Sequence, residues 1–204
     1  KNRSGLSEEG KLLATMQRRQ KKVTGGRLLM SNGGPVLEAI EKIRGKAIAD
    51  ALVKHSNDVA EIESRNNPAA IQKIKRDGQF VNDGPGRGKY QYETSKGSGA
   101  NKTAITRYRQ FYRKNNLKIP DEYELLLSEK DVDFSKLPEK LQNDIFYADK
   151  NEGLIPLNDL ASGKLTSKEA WLKYHWAGKE KDRPKKEKMW DERFNRWYYT
   201  EKKT

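Results

Sequence analysis

Apolar residues recur at helical spacing along most of this chain. From Pro35 the segment PVLEAIEKIRGKAIADALVKH repeats apolar residues every three or four positions and predicts the core helix of the first half. SNDVAEIES (56–64) predicts a separate short helix capped by Ser56 or Asn57, and PAAIQKIK (68–75) predicts a further helical piece. The second half predicts helices in NKTAITRYRQFYRKNN (101–116), PDEYELLLSEK (120–130), LPEKLQNDIFYADKNE (137–152) and TSKEAWLKYHWAG (166–178).

Strand signals are few. Alternation is clearest in GKYQYET (88–94), inside a glycine-rich stretch. The pattern predicts a mainly α fold with a short strand and loop region.

Composition shifts divide the chain into three parts. Residues 1–34 contain a basic run and two Gly pairs, which predict a basic N-terminal arm and a flexible linker. Residues 35–178 form the predicted domain. Residues 179–204 are predicted to form an extended basic tail anchored by Trp190, Phe194 and Trp197. The chain begins at Lys1 rather than Met, so we expect a processed or excised piece of a longer polypeptide, or a trimmed start.

Charge narrows the class of partner. Lys and Arg number 42 against 29 Asp and Glu, a net charge of +13 that favours polyanions such as DNA or anionic cell-wall polymers. Without cysteine, neither disulfides nor thiolate sites are possible. The sequence has no run of about 18 apolar residues, so we expect no membrane-spanning segment.

Glu63 is the candidate catalytic group. It falls at the predicted C-terminal end of the helix in DVAEIES, where the helix dipole and apolar neighbours both disfavour an ionised carboxylate. A carboxyl group that stays protonated near neutral pH can act as a general acid toward a glycosidic oxygen.

The residues around Glu63 follow a spaced pattern, Glu63-Ser64-x-x-Asn67-Pro68-x-Ala70. This pattern resembles the Glu-Ser-x-x-Asn-Pro-x-Ala motif of lysozyme-like lytic transglycosylases, in which the Glu is the sole catalytic acid and base. Downstream, GPGRGKYQYE is similar to the Gly-Pro-Ala-Arg-Gly-x-x-Gln-x-Glu signature of lysozyme-like virion proteins of tailed bacteriophages. The matched positions are Gly84, Pro85, Arg87, Gly88, Gln91 and Glu93.

The resemblance implies roles for further residues. Ser64 would hydrogen-bond near the acid or the substrate's acetamido group, and Gln91 would hold substrate or backbone. Tyr90 or Tyr92 would offer a ring face to a sugar. Tyr147, in FYADKNEG, is the nearest match to the later Tyr-Asn-Ala-Gly motif of these enzymes and would contact substrate. Asn67, Pro68, Gly86 and Gly88 would shape the loops.

The resemblance also implies a reaction. Glu63 would protonate the oxygen between N-acetylmuramic acid and N-acetylglucosamine, and the substrate's acetamido group would stabilise the cationic centre. Glu63 would then accept the proton of the muramyl 6-hydroxyl, giving an anhydro product. If Glu93 serves as a second carboxylate, hydrolysis by water is the alternative. An insertion at KRDGQFVND (75–83) separates Glu63 from Gln91 and is expected to reshape the cleft.

The implied setting is a phage virion, internal or tail-associated, with delivery to the host envelope during genome entry. The expected partners are peptidoglycan, other virion proteins and DNA. The alternative is a structural or DNA-contacting virion protein that keeps the scaffold without turnover.

Two other chemistries are not expected. The glycines of GPGRGK lack the spacing of a nucleotide-binding loop, because Tyr90 follows the Lys where Ser or Thr is required. His55 and His175 lie far apart without clustered ligands, so we predict no metal and no cofactor.

Overall fold

The computed structural model describes residues 34–176 and 180–201, with side chains as far as residue 194. The predicted N-terminal arm, apart from Gly34, and the side chain of Trp197 therefore lie outside the described residues. Within them the protein is mostly helical, which confirms the predicted mainly α class.

Eight α-helices and four short strands make up the described part of the chain. The helices are α1 (Pro35–Arg44), α2 (Lys46–Ser64), α3 (Ala100–Lys114), α4 (Asp121–Leu126), α5 (Glu139–Glu152), α6 (Leu157–Ala161), α7 (Ser167–Tyr174) and α8 (Arg183–Glu201). The strands are β1 (Ile74–Arg76), β2 (Gln79–Val81), β3 (Gly86–Arg87) and β4 (Tyr92–Glu93). Single 3-10 turns cover Phe134–Lys136 and Glu180–Asp182.

The core lies where α3 and α5 pack together and α2 packs alongside α5. Phe111 of α3 and Leu141 and Ile145 of α5 are buried, as is Leu52 of α2. In α5 every residue from Leu141 to Lys150 is buried, so α5 is the central helix of the domain. A helix surrounded on all sides must accommodate its polar residues by pairing them inside the protein.

The first long helical segment is broken by Gly45 and then runs further than predicted. Gly45 has φ 92°, a conformation that favours glycine, and it separates α1 from α2. Helix α2 then continues unbroken to Ser64, so the prediction of a separate helix beginning near Ser56 is wrong. The Ser56 hydroxyl is buried and hydrogen-bonds the Tyr90 hydroxyl at 2.8 Å instead of capping a helix.

The predicted helix at 68–75 is also wrong, because this region enters a β-hairpin. Strand β1 pairs with β2 antiparallel, with Arg76 opposite Gln79. Asp77 and Gly78 between them both have positive φ, at 51° and 83°. Asp-Gly is the sequence signature of this two-residue turn. The expected insertion is therefore an ordered hairpin.

Strands β3 and β4 form a second small antiparallel ladder, with Gly86 opposite Glu93 and Arg87 opposite Tyr92. The ladder pairs the two sides of the segment GPGRGKYQYE (84–93). The turn between the two strands brings the chain back toward the end of α2. This ladder lies within and just before the segment where the strand signal was strongest.

The C-terminal segment forms a helix where an extended tail was expected. In α8 the rings of Trp190 and Phe194 lie 4.7 Å apart, and Trp190 lies 5.3 Å from Trp171 of α7. Trp190 and Phe194 are four residues apart and so share one helix face, which gives the segment an apolar stripe to bury. Lys168 adds a salt bridge to Asp191 at 2.8 Å.

Among the described residues, none of the helices combines the length and apolar character needed to cross a membrane.

Candidate active site

An open cleft of about 1160 Å³ lies at the end of α2. Its walls come from the chain after α2, from strand β4, from the start of α3 and from the C-terminal ends of α5 and α7, and helix α8 closes one side. Of the residues assigned to the site from the sequence, it brings together Glu63, Ser64, Asn67, Gln91, Tyr92 and Glu93.

Glu63 lies in the last turn of α2 and lines the cleft. The indole Nε1 of Trp171 donates a hydrogen bond of 2.7 Å to its Oε1. Burial raises the pKa of Glu63, and the opposing effects of the Trp171 hydrogen bond and the Lys186 charge do not cancel that increase. The carboxyl group thus combines access to the cleft with a tendency to remain protonated, which a general acid requires.

Ser64 fastens the end of α2 to the glycine-rich loop. Its hydroxyl donates to the carbonyl oxygen of Lys89 at 2.7 Å and accepts from the backbone N–H of Asn67 at 3.1 Å. The hydroxyl is therefore engaged by backbone groups beside Glu63, and its contribution is to position the acid-bearing helix end.

Asn67 and Pro68 shape the turn that follows. The Asn67 side-chain oxygen accepts the backbone N–H of Ala69 at 3.0 Å, and the Pro68 carbonyl accepts from Gln142 Nε2 of α5 at 3.0 Å. The turn is thereby tied to the central helix.

Gly88 and Gln91 form the tight part of the second loop. Both have positive φ, 75° and 51°, and the Gln91 side-chain amide donates to the Gly88 carbonyl at 2.8 Å. A Cβ on Gly88 would lie 2.5 Å from Gln142 Oε1, so the close approach to α5 requires glycine there. Gly86 belongs to β3, where a Cβ would lie 2.9 Å from Gln91 Oε1. Gln91 thus holds backbone, one of the two roles expected for it.

Glu93 is a second carboxyl group on the cleft wall. Its Oε2 accepts the backbone N–H of Ser98 at 2.8 Å, and its charge adds to the increase in the Glu63 pKa. Glu63 and Glu93 therefore face the same cleft.

The expected sugar-contacting roles of Tyr90 and Tyr147 are wrong. Tyr90 is 1% exposed and packs against α5, and Tyr147, a residue of α5 itself, is 2% exposed. The Tyr90 hydroxyl donates to Asn143 Oδ1 at 2.7 Å, and its ring stacks on Phe146 at 4.1 Å. Neither ring has a face available to a ligand, because both are enclosed by the packed core.

Tyr92 borders the cleft, but its hydroxyl forms a hydrogen bond in the protein interior. It donates to Asp149 Oδ2 at 2.8 Å, and Lys150 donates to the same oxygen, also at 2.8 Å. Arg107 donates to Asp149 Oδ1 at 2.8 Å. Burial acts to raise the pKa of Asp149, but the Lys150 charge and these hydrogen bonds outweigh it and lower the pKa to about 2. Tyr92 is also only 4% exposed, so its ring offers no open face to a sugar, and its side chain instead helps to hold Asp149.

His175 adds a neutral group to the cleft. Its Nε2 lies 2.9 Å from the Tyr90 carbonyl oxygen, and burial together with the Lys150 charge lowers the pKa of His175 to about 3. Across the described ranges, no group of three or more His, Asp or Glu side chains is arranged to hold a metal ion.

Sequence reasoning missed Trp171, Arg107, Lys150 and the cleft-facing residues of α8. Trp171 is 108 residues from Glu63 along the chain. No local pattern distinguishes an indole that donates to a distant carboxyl group from one that only fills space. The hairpin was detectable from its Asp-Gly dipeptide.

Comparison with known proteins found no matching family model, no similar curated protein and no similar solved structure. The site's own geometry therefore carries the functional argument.

Proposed function

We propose that this protein is a lysozyme-like, peptidoglycan-degrading enzyme that cleaves the bond between N-acetylmuramic acid and N-acetylglucosamine, with Glu63 as its acid. The observation that carries the proposal is one half-buried carboxyl group with a raised pKa, which lines an open cleft and accepts a hydrogen bond from a buried indole. An open cleft of about 1160 Å³ suits a polymer, and a carboxyl group with a raised pKa suits proton donation to a glycosidic oxygen.

The lysozyme-like part of the proposal is supported by the arrangement of elements. The acid lies at the C-terminal end of a helix, short antiparallel strands follow it, and further helices build the opposite wall. The motif around Glu63 and the glycine-rich motif meet in one place, with Ser64 bonded to the carbonyl of Lys89.

In the proposed mechanism Glu63 gives its proton to the glycosidic oxygen as the bond to the muramyl anomeric carbon breaks. The substrate's acetamido oxygen stabilises that carbon. The carboxylate that remains accepts the proton of the muramyl 6-hydroxyl as this oxygen attacks. The Trp171 N–H stabilises the carboxylate formed in the first step, because hydrogen bonds to the charged form favour it.

Glu93 supplies the means for the second outcome, hydrolysis. A second carboxylate lining the same cleft can take a proton from an attacking water, as in glycosidases with two carboxylates. Product analysis separates the outcomes, since transglycosylation yields anhydromuropeptides and hydrolysis yields reducing ends. Glu93→Gln would abolish only the hydrolytic product.

The decisive experiment compares the parent, Glu63→Gln and Glu122→Gln on purified peptidoglycan. Glu122 is an exposed acid on α4 outside the cleft and serves as the matched control. We expect product from the parent and Glu122→Gln and at least a thousandfold less from Glu63→Gln. If Glu63→Gln releases as much product as the parent, or if the parent releases none, the enzymatic proposal is wrong.

A non-catalytic, DNA-contacting role is the second candidate, favoured by the net charge of +13. It predicts DNA binding that persists in Glu63→Gln and weakens steeply as salt rises. The proposed setting for either function is a phage virion, supported by the Gly84 to Glu93 motif. Mass spectrometry of purified particles, followed by an in-gel peptidoglycan assay, tests that location.

A further inference from the structure

Basic side chains outnumber acidic side chains in the lining of the cleft. Six basic and three acidic side chains line it, a net charge of +3. Asp149 is paired with Arg107 and Lys150, which leaves four cations in the lining against the two remaining acids, Glu63 and Glu93. A surplus of cations therefore faces the space in which a ligand would lie.

Helix α8 contributes two of these cations, and they lie on one face of the helix. Lys186, Met189 and Arg193 lie on its cleft side, spaced i, i+3 and i+7, which is one face of a helix. The Trp190 ring packs on Trp171 and the Lys168 salt bridge to Asp191 holds the helix in place, so this face is presented in a defined orientation.

Lys186 has no ion-pair partner within the part of the chain that the structure describes, and its charge acts on Glu63. Arg193 makes a single long contact, 3.4 Å, with Glu61. The seven-residue separation of the two cations corresponds to about 10 Å along the helix axis. That distance is comparable to the length of one disaccharide.

We propose that the cleft face of α8 binds the carboxylates of the peptide stems on a glycan strand, with Lys186 and Arg193 as the contacts. This inference rests on the proposed function, because it takes the strand to be the ligand. Stems occur once per disaccharide, so two cations about one disaccharide apart match the repeat of a stem-bearing strand. Charge-assisted hydrogen bonds to carboxylate are the interactions these side chains make most strongly.

The test measures binding rather than turnover. Glu63→Gln protein, full length, is titrated with glycan strands bearing native stems and with the same strands after conversion of the stem carboxylates to methylamides. The test pair Lys186→Gln/Arg193→Gln is compared with Lys185→Gln/Lys188→Gln, which removes two exposed lysines of α8 outside the cleft lining. Thermal unfolding establishes that both double variants are folded.

We expect the cleft pair to weaken binding of native strands at least about tenfold, or about 1.4 kcal/mol. The control pair should weaken it less than twofold, and methylamide strands should bind all variants alike. Equal losses from both pairs, equal losses on both kinds of strand, or no strand binding by the folded protein would overturn the inference. Duplex DNA that outcompetes strands and loses affinity with the cleft pair would assign these cations to nucleic acid instead.

Because binding is read in a variant without its acid, the inference can fail while turnover by the parent succeeds. Conversely, specific strand binding without turnover by the parent would leave α8 as a strand-binding surface and remove only the catalytic proposal.

Discussion

Replacing Trp171 by Phe tests whether the indole N–H tunes the candidate acid. Trp171 is fully buried and donates the only hydrogen bond that Glu63 receives from the described residues, at 2.7 Å. The substitution keeps an aromatic ring in the core and removes this donor. Because the bond favours the ionised carboxylate, its loss raises the pKa of Glu63 further.

The magnitude follows from the energy of a hydrogen bond to a charged group, about 1.5–3 kcal/mol. Since one pH unit corresponds to about 1.4 kcal/mol, the alkaline limb of the pH–activity profile should move up by roughly one to two pH units. The enzyme must start with Glu63 protonated, so a higher pKa extends activity toward alkaline pH. The maximum rate should fall, because the carboxylate formed during the reaction is less stable.

The assay is kcat/KM for peptidoglycan from about pH 4 to pH 10, which reports groups of the free enzyme. The control is Trp190→Phe, which alters the ring packed 5.3 Å from Trp171 but leaves the N–H donor in place. Both substitutions should lower the free energy of unfolding by about 1–3 kcal/mol through lost core packing. Only Trp171→Phe should move the alkaline limb.

Coincident alkaline limbs in the parent and Trp171→Phe would refute the reasoning. So would an equal displacement in Trp190→Phe, because the effect would then come from disturbed packing. If activity proves too low to follow, carbon NMR of the Glu63 carboxyl group gives the same comparison without turnover.

Three further predictions concern stability. Burial raises the pKa of Asp144 to about 7, so ionisation of its carboxyl group increasingly destabilises the folded state between about pH 4 and pH 7. Asp144→Asn should remove a loss on the order of 4 kcal/mol across that range, and parallel curves of unfolding free energy against pH would contradict this. Gly88→Ala should cost about 2 kcal/mol more than Gly78→Ala in chemical denaturation, because both have positive φ but only Gly88 has a side-chain oxygen within 2.5 Å of the added Cβ. Tyr92→Phe should cost about 1.5–3 kcal/mol by leaving one hydrogen bond to Asp149 unmade, whereas an unchanged midpoint would show that this bond contributes nothing.

Helical periodicity alone predicted much of the fold. Helices α5 and α7 lie within the predicted segments and α3 begins one residue before its own, because each buries an apolar stripe, and Thr166 caps α7. The spaced motif also identified Glu63 as a candidate acid, because the motif spans a helix end and the turn that follows it. These features depend on residues that are near one another along the chain, so they can be predicted from a single sequence.

Other features depended on groups far apart along the chain. Ser56 is a good helix cap by type, yet its hydroxyl has a better partner in Tyr90, 34 residues away, once α2 packs on the core. Tyr90 and Tyr92 suited sugar stacking by type, but both are buried because they pack against α5. A side chain's type limits the interactions it can make, and packing decides which of them it makes.

The sequence by itself determined the helical class, the charge and the identity of the candidate acid. Tertiary structure decided what that acid can do, because its pKa depends on burial and on the Trp171 indole 108 residues away. It also decided that α8 becomes a cleft wall, since the aromatic residues of that segment needed Trp171 to pack against. Burial and long-range contacts arise only when the chain folds, so local pattern could not have supplied either.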